Sequence, residues 1–373
     1  MSAPCPPAPS EVRESVPVGT EISLPYPCDF HHHFRQSTLI DATVKMASER
    51  FEYALAMPNT QPPLTTVEAA NLYYEKLCAA EQNQPSGAPK MKFISVLYLT
   101  DLTTVETVEE MAKHPNIWGF KYYPAGATTN SAFGVTDVLK CYPVFEKMQE
   151  LGLILCIHSE VSRPEIDIFD REKVFIDEVI RPLTVAFPTL KIVMEHISTS
   201  HGVEFIESLS GEYVKGSITP HHLVYNRNAL LVGGIKPHFY CLPILKRESH
   251  RVSLLRAATS GSGKFILGTD SAPHDKYRKE SGCGCAGVFN GHCAVEMYAE
   301  AFESVGKLDS LAGFIQAGKD FYGIKSDRTM KLKKEAWAVP SSYPFPDEEN
   351  PDRAGQLIPL RAGEEMLWKI VYP

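Results

Sequence analysis

LGLILCIHSE (151–160), EKVFIDEVIRPLTVAF (172–187) and LKIVMEHIS (190–198) read as a strand, a helix and a second strand. The outer runs are short, continuous and rich in Ile, Leu and Val, as strands buried on both faces require. The middle segment carries apolar residues at three-four spacing. Two strands joined by a helix run parallel. The same unit recurs on both sides. SLPYPCDFHHHF (23–34), FEYALAMP (51–58), MKFISVLYL (91–99) and IWGFKYYP (117–124) precede it, and YVKGSITPHH (213–222) and KFILGTDSA (264–272) follow. Helical periodicity fills nearly all the intervals, in STLIDATVKMASERF, TVEAANLYYEKLCAA, TTVETVEEMAKH, TDVLKCYPVFEKMQE and ESHRVSLLRAATSG. Eight buried strands alternating with helices predict an α/β fold closed into a (β/α)8 barrel of the TIM type. The competing open, doubly wound sheet would bring a Gly-rich phosphate turn after an early strand, and none is present.

The 373 residues are 44% hydrophobic and 22% charged, with a net charge of -8. That balance suits a globular protein with a sizeable core. It offers no basic face to nucleic acid or acidic lipid, so a small-molecule substrate or a protein partner is expected. Residues 1–20 form a Pro-rich extension without the basic and apolar regions of a secretory signal. No run approaches the ~20 apolar residues of a membrane span. Nine cysteines, an odd number scattered through the predicted elements, suit reduced thiols in the cytoplasm better than a disulfide framework. Residues 21–323 are read as the barrel unit. Two helical segments, NGHCAVEMYAEAFESVG and SLAGFIQAGKDFYG, close it. Residues 324–373, Pro-rich and acidic before the apolar ending EEMLWKIVYP, are read as a tail packed on the barrel.

Ionisable residues fall at one end of the predicted strands: His31, His32 and His33 end the first run, Lys121 the fourth, His158 the fifth, His196 the sixth and Asp270 the eighth. In such barrels that end carries the active site. Alternation places His31 and His33 on one strand face and His32 on the other. Each residue alone has a structural explanation, and Asp270 in GTDSAPH suits a helix cap. Together, four inward imidazoles with a carboxylate suit zinc better than magnesium or calcium. Lys121 is open to two readings. It is either an electrostatic group, or an amine whose pKa falls beside cations and which captures carbon dioxide as a bridging carbamate.

The motifs DFHHHFR, AMPNT, FKYYPAGATTNS, CIHSE, MEHIS, TPHHLVYNRN, KPHFYCLPILK, LGTDSAPH and KESGCGCAG resemble those of the shorter, monofunctional dihydroorotases of the metal-dependent amidohydrolase superfamily. The likeness runs from about Pro27 to Gly323. It implies reversible, zinc-dependent cyclisation of N-carbamoyl-L-aspartate to dihydroorotate in pyrimidine synthesis, by a homodimer. It implies two Zn2+ per subunit: one held by His31, His33 and Asp270, the second by His158 and His196, bridged by carbamylated Lys121. By the same resemblance Asp270 is the catalytic acid–base. Arg35, Asn59 and His274 hold the substrate carboxylate with backbone groups of Leu242 and Ala286, and Thr128 and Thr129 tip a mobile loop. His32 stands where the family usually has an apolar residue, and it is expected to face away from the metals.

Arg35 offers a bidentate fork to a planar carboxylate that Lys could not reproduce. Cys283, Cys285, His292 and Cys293 do not have a recognised zinc spacing. Their segment reads instead as a Gly-rich loop with amides facing an anionic ligand. Two alternatives compete: a hydantoinase or allantoinase of the same superfamily, which lacks this Arg–Asn–His carboxylate set, and a non-catalytic scaffold, in which metal ligands are usually lost.

Overall fold

The computed structural model describes residues 16–84, 90–347 and 353–372. Most of the Pro-rich extension, residues 1–15, lies outside them. After β1 (Glu21–Pro25) come eight parallel strands: β2 (Cys28–His32), β3 (Tyr53–Ala56), β4 (Lys92–Tyr98), β5 (Ile117–Tyr122), β6 (Ile154–His158), β7 (Lys191–Glu195), β8 (Val214–Ile218) and β9 (Phe265–Leu267). Each pairs with the next in sequence order. A parallel bridge between His32 and Ser271 brings the ends of the sheet together. Backbone bonds from Asp270 to His31 (2.9 Å) and from His33 to Ser271 (3.0 Å) flank it. All eight expected runs are therefore strands of one sheet. Consecutive order with a closing seam is the topology of a (β/α)8 barrel and not of an open sheet.

The intervals are helical for local reasons. Thr66 and Thr104 precede Val67–Gln82 and Val105–Met111, and their hydroxyls accept the free amides of Ala69 and Thr107. Segment 172–187 is helical as far as Ala186 and contains a π-turn at Ile176–Ile180. A helix at Ser200–Ser208, between β7 and β8, is absent from the sequence-based expectations. Its apolar face is short (Val203, Phe205 and Ile206 buried), and its start depends on the Thr199 side-chain cap. Gly119 on β5 admits its neighbour strand: a Cβ there would lie 1.8 Å from the Ile154 carbonyl oxygen.

Beyond the helix Leu311–Tyr322, the chain forms β10 (Thr329–Ala338), β11 (Tyr343–Pro346), β12 (Ala354–Leu357) and β13 (Glu365–Val371). Strands β11 and β12 pair with each other, and β10 joins β1 to β13 in an antiparallel sheet. The first apolar run thus divides, Glu21–Pro25 pairing with this sheet while Cys28–His32 enters the barrel. Met366, Trp368 and Ile370 alternate inward along β13, and the buried Trp368 indole donates to Glu303 on the helix Ala294–Ser304 at 2.8 Å.

Candidate metal centre and active site

Strand β2 delivers the first histidine pair, and Asp29 sets its position. This buried carboxylate accepts the amides of His31 (3.1 Å) and Thr269 (2.8 Å) at Oδ1, and the Thr269 hydroxyl (2.6 Å) at Oδ2. It thereby ties the end of β2 to the turn that carries Asp270. His32 points elsewhere, 2.7 Å from Asp29 Oδ2 and stacked on Phe34. His31 and His33 converge on Asp270, whose Oδ1 lies 3.4 Å from His31 Nε2 and 3.1 Å from His33 Nε2. His158 ends β6 and His196 follows β7; Nδ1 of the first is 3.2 Å from Nε2 of the second. The His31 and His196 rings, 5.0 Å apart, join the two pairs. Lys121 on β5 is fully buried among them, its Nζ without a hydrogen-bond partner and 5.0 Å from the Tyr123 ring centre. His196 and Asp270 both adopt left-handed backbone angles (φ 39° and 47°), local strain of the kind that collects at functional sites.

Outer partners decide which ring nitrogen faces the centre. His31 Nδ1 lies 2.9 Å from Glu195, His33 Nδ1 2.8 Å from Asn59 Oδ1, and His158 Nε2 3.0 Å from Glu160. Glu160 in turn faces the Lys246 ammonium at 3.6 Å. Burial pushes His33 down to about 3 and lowers His158 and His196, so these imidazoles are neutral. Burial works against the charge of Asp270, but opposing effects led by the facing His31 hold the carboxyl below its usual range. Burial also lowers the pKa of Lys121. Neutral imidazoles, an ionised carboxylate and a buried amine without a partner fit a borderline-soft cation such as zinc. His31, His196 and Asp270 bring ligand atoms within 4.8 Å of one another.

The centre opens into a cavity of about 560 Å³ lined by His33, Arg35, Asn59, Thr129, His274 and Cys285. Arg35 donates from Nε to the Pro273 carbonyl at 2.8 Å, and its Nη2 lies 3.0 Å from His274 Nε2. Leu242, Thr128 and Ala286 line the inner end beside the metal-type ligands. Thr129 is bound down: its hydroxyl donates to the Ala286 carbonyl at 3.3 Å, and its own carbonyl accepts from Asn59 at 3.1 Å. Of the residues named from the sequence for metal, catalysis, substrate or loop, all but the buried Lys121 line this cavity or its inner end. Cys283, Cys285, His292 and Cys293 form no metal-type cluster among the described residues. A second buried group, His221, His222 and Cys241, does, but both His222 nitrogens are taken by Thr219 Oγ1 (2.7 Å) and the Pro243 carbonyl (3.1 Å). The sequence reading missed Asp29, Glu160, Glu195 and Lys246. The three acids stand within two residues of site histidines in DFHHHF, CIHSE and MEHIS, and that spacing was the available signal.

No family model matches the chain. Among curated proteins it is 50% identical to a dihydroorotase of Vibrio vulnificus over 353 residues, 94% of this chain and 99% of that protein. It is 48% identical to a dihydroorotase of Pseudomonas savastanoi over 94% of this chain and 98% of the other. Among solved structures, the dihydroorotase of Saccharomyces cerevisiae in complex with 5-fluoroorotic acid superposes with a TM-score of 0.84 at 30% identity. That match covers 94% of this chain and 98% of the yeast one. The L-hydantoinase of Arthrobacter aurescens, at 17% identity and a TM-score of 0.75 over 94% of this chain and 83% of its own, shares the fold alone.

Proposed function

The chain belongs to the dihydroorotase family, and from that membership we propose that it interconverts N-carbamoyl-L-aspartate and (S)-dihydroorotate in pyrimidine synthesis, at a pair of zinc ions. It is a cyclic amidohydrolase with a small-molecule substrate. The observation that carries the detailed reading is the convergence of four imidazoles, Asp270 and Lys121 at the end of a cavity whose wall presents Arg35, Asn59 and His274.

His31, His33 and Asp270 are disposed to hold one zinc ion, and His158 and His196 the other. Lys121, whose ammonium form is disfavoured by burial, would add as the free amine to carbon dioxide: a nitrogen–carbon bond forms, a proton leaves, and the side chain would end in a carboxylate to hold both ions. When bound, the zinc pair polarises the scissile carbonyl and lowers the pKa of an attacking water. Asp270 takes the proton released in ring opening and delivers it to the departing ring nitrogen. In ring closure it runs the transfer backwards. Arg35 pairs with the substrate carboxylate through its fork, aided by Asn59, His274 and the backbone at Leu242 and Ala286. Thr128 and Thr129 cover the substrate and exclude water. A homodimer in the cytoplasm completes the proposal, with residues 1–20 as an extension, 21–323 as the barrel unit and 324–373 as its tail. No helix among the described residues is long and apolar enough to cross a membrane.

The test is ring opening of L-dihydroorotate by the purified protein, followed by far-UV absorbance before and after zinc is stripped and restored. Activity lost on chelation and regained with zinc is the expected result. Opening of hydantoin or allantoin in place of dihydroorotate would overturn the substrate assignment.

A further inference from the structure

Lys279 is 2% exposed, and the chemistry above does not use it. Its ammonium donates to three backbone carbonyls: Tyr240 at 2.9 Å, Cys285 at 2.6 Å and Gly287 at 2.8 Å. An ammonium has three hydrogens and no acceptor site, so three carbonyls satisfy it. Burial pulls its pKa down to about 8, which leaves it charged at neutral pH.

The three carbonyls belong to the two segments that wall the inner end of the cavity. One leads to Leu242; the other is Cys285–Ala286–Gly287. The segments are also joined directly, the Gly287 amide donating to the Tyr240 carbonyl at 2.9 Å. With the carbonyls of Cys285 and Gly287 both held by Lys279, the Ala286 carbonyl between them turns the other way. There it lies 3.0 Å from His274 Nε2 and 3.3 Å from the Thr129 hydroxyl. This path is not a relaxed one. Gly284, Cys285 and Gly287 have φ of 71°, 33° and 144°, and a Cβ at Gly287 would lie 2.3 Å from the Ala272 carbonyl. A strained segment persists only where its surroundings over-determine it, and a buried cation gripping it at two points does so.

We propose that Lys279 is a positioning residue for substrate recognition: its three-carbonyl clamp fixes the backbone at Leu242 and Ala286, and through Ala286 the imidazole of His274, into one preformed surface for an anionic cyclic amide. The inference rests on the substrate-binding assignment above. It predicts that Lys279 acts on binding more than on the chemical step, because the clamp touches neither the metal-type ligands nor Asp270.

The test uses Lys279→Ala and Lys279→Gln in the zinc-loaded full chain. Expected are a KM for dihydroorotate and a Kd for 5-fluoroorotic acid raised about 10-fold or more in Lys279→Ala. The rise should be smaller in Lys279→Gln, which keeps two donors, while kcat changes by less than about 3-fold and zinc content is unchanged. Propylammonium added to Lys279→Ala should lower KM again, whereas propanol, which fills the same space without the charge, should not. Unchanged KM and Kd in both variants, a loss confined to kcat, or equal rescue by propanol would overturn the proposal. If Lys279→Ala does not fold, Lys279→Gln with unchanged KM overturns it alone. Wild-type protein inactive on dihydroorotate would instead remove the functional reading beneath it.

Discussion

Asn59 Oδ1 lies 2.8 Å from His33 Nδ1, while its Nδ2 donates to the Thr129 carbonyl at 3.1 Å. An amide oxygen only accepts, so His33 carries its proton on Nδ1 and presents a bare Nε2 towards Asp270. One side chain therefore sets the tautomer of a metal-facing histidine and anchors the loop over the cavity. Asn59→Ala is expected to weaken zinc binding and lower kcat/KM, each by roughly 10–100-fold. Asn59→Asp keeps the acceptor for His33 but loses the donor to Thr129, so zinc should be retained while KM rises. Zinc titration beside steady-state kinetics separates the two effects. Wild-type zinc affinity in Asn59→Ala would refute the tautomer argument.

Lys121 sits with an unpartnered Nζ at full burial, where desolvation opposes its charge and the carboxylates of Glu195 and Asp270 favour it. If it captures carbon dioxide, native mass spectrometry of the zinc-loaded protein should show one added carbon dioxide per chain, lost when zinc is stripped. Lys121→Ala should bind less zinc and lose ring opening, and acetate or propionate should restore part of both by placing a carboxylate in the vacated space. Full zinc content in Lys121→Ala, with no response to carboxylates, would leave the lysine an electrostatic role only.

The barrel was legible because strands covered on both faces write continuous apolar runs, as ILCIH and KIVME do. The site was legible because His31, His158, His196 and Asp270 stand at the ends of those runs, where an apolar pattern gives no reason for an imidazole. The tail was harder. Strand β13 alternates buried and exposed residues in EMLWKIV, and its antiparallel partner β10 lies about thirty residues back, with β1 some three hundred residues away. Nothing local marks Leu24 as belonging to that sheet and Phe30 to the barrel. Glu160, Glu195 and Lys279 went unread for a different reason. A charged residue usually marks a solvated surface, and only the folded chain shows these three buried against a histidine or a set of carbonyls.

Acid should destabilise the zinc-free protein through its buried histidines, those outside the metal centre included. Burial holds His221 down to about 4, and His222 and His292 well below the ordinary value of 6.5. Between about 6.5 and 4 the unfolded chain binds protons that the folded chain refuses, so stability falls as pH falls through that window. Each histidine contributes up to about 1.4 kcal/mol per pH unit. Urea unfolding of zinc-free protein at pH 7.5, 6.5 and 5.5 measures the slope. His292→Phe, which removes one such group beside Phe289 and Tyr343, should flatten it. A slope equal to wild type in that variant would place the acid sensitivity elsewhere.

Arg50 and Glu296 form a buried ion pair outside the barrel strands. Arg50 follows the helix after β2, Glu296 lies on the helix Ala294–Ser304 beyond β9, and the two pair in bidentate fashion at 3.0 and 3.3 Å, both buried. Arg50→Ala strands a carboxylate in the core and is expected to cost about 3–5 kcal/mol in urea unfolding. The double replacement Arg50→Met with Glu296→Leu removes both charges and should recover most of that loss, since apolar residues of similar volume often match a buried ion pair. Zinc content and kcat/KM of the folded double variant should stay near wild type, because neither side chain touches the cavity. A double variant less stable than Arg50→Ala would mean that the pair contributes more than the relief of a stranded charge. Lost zinc with retained stability would mean that the metal centre depends on this distant pair.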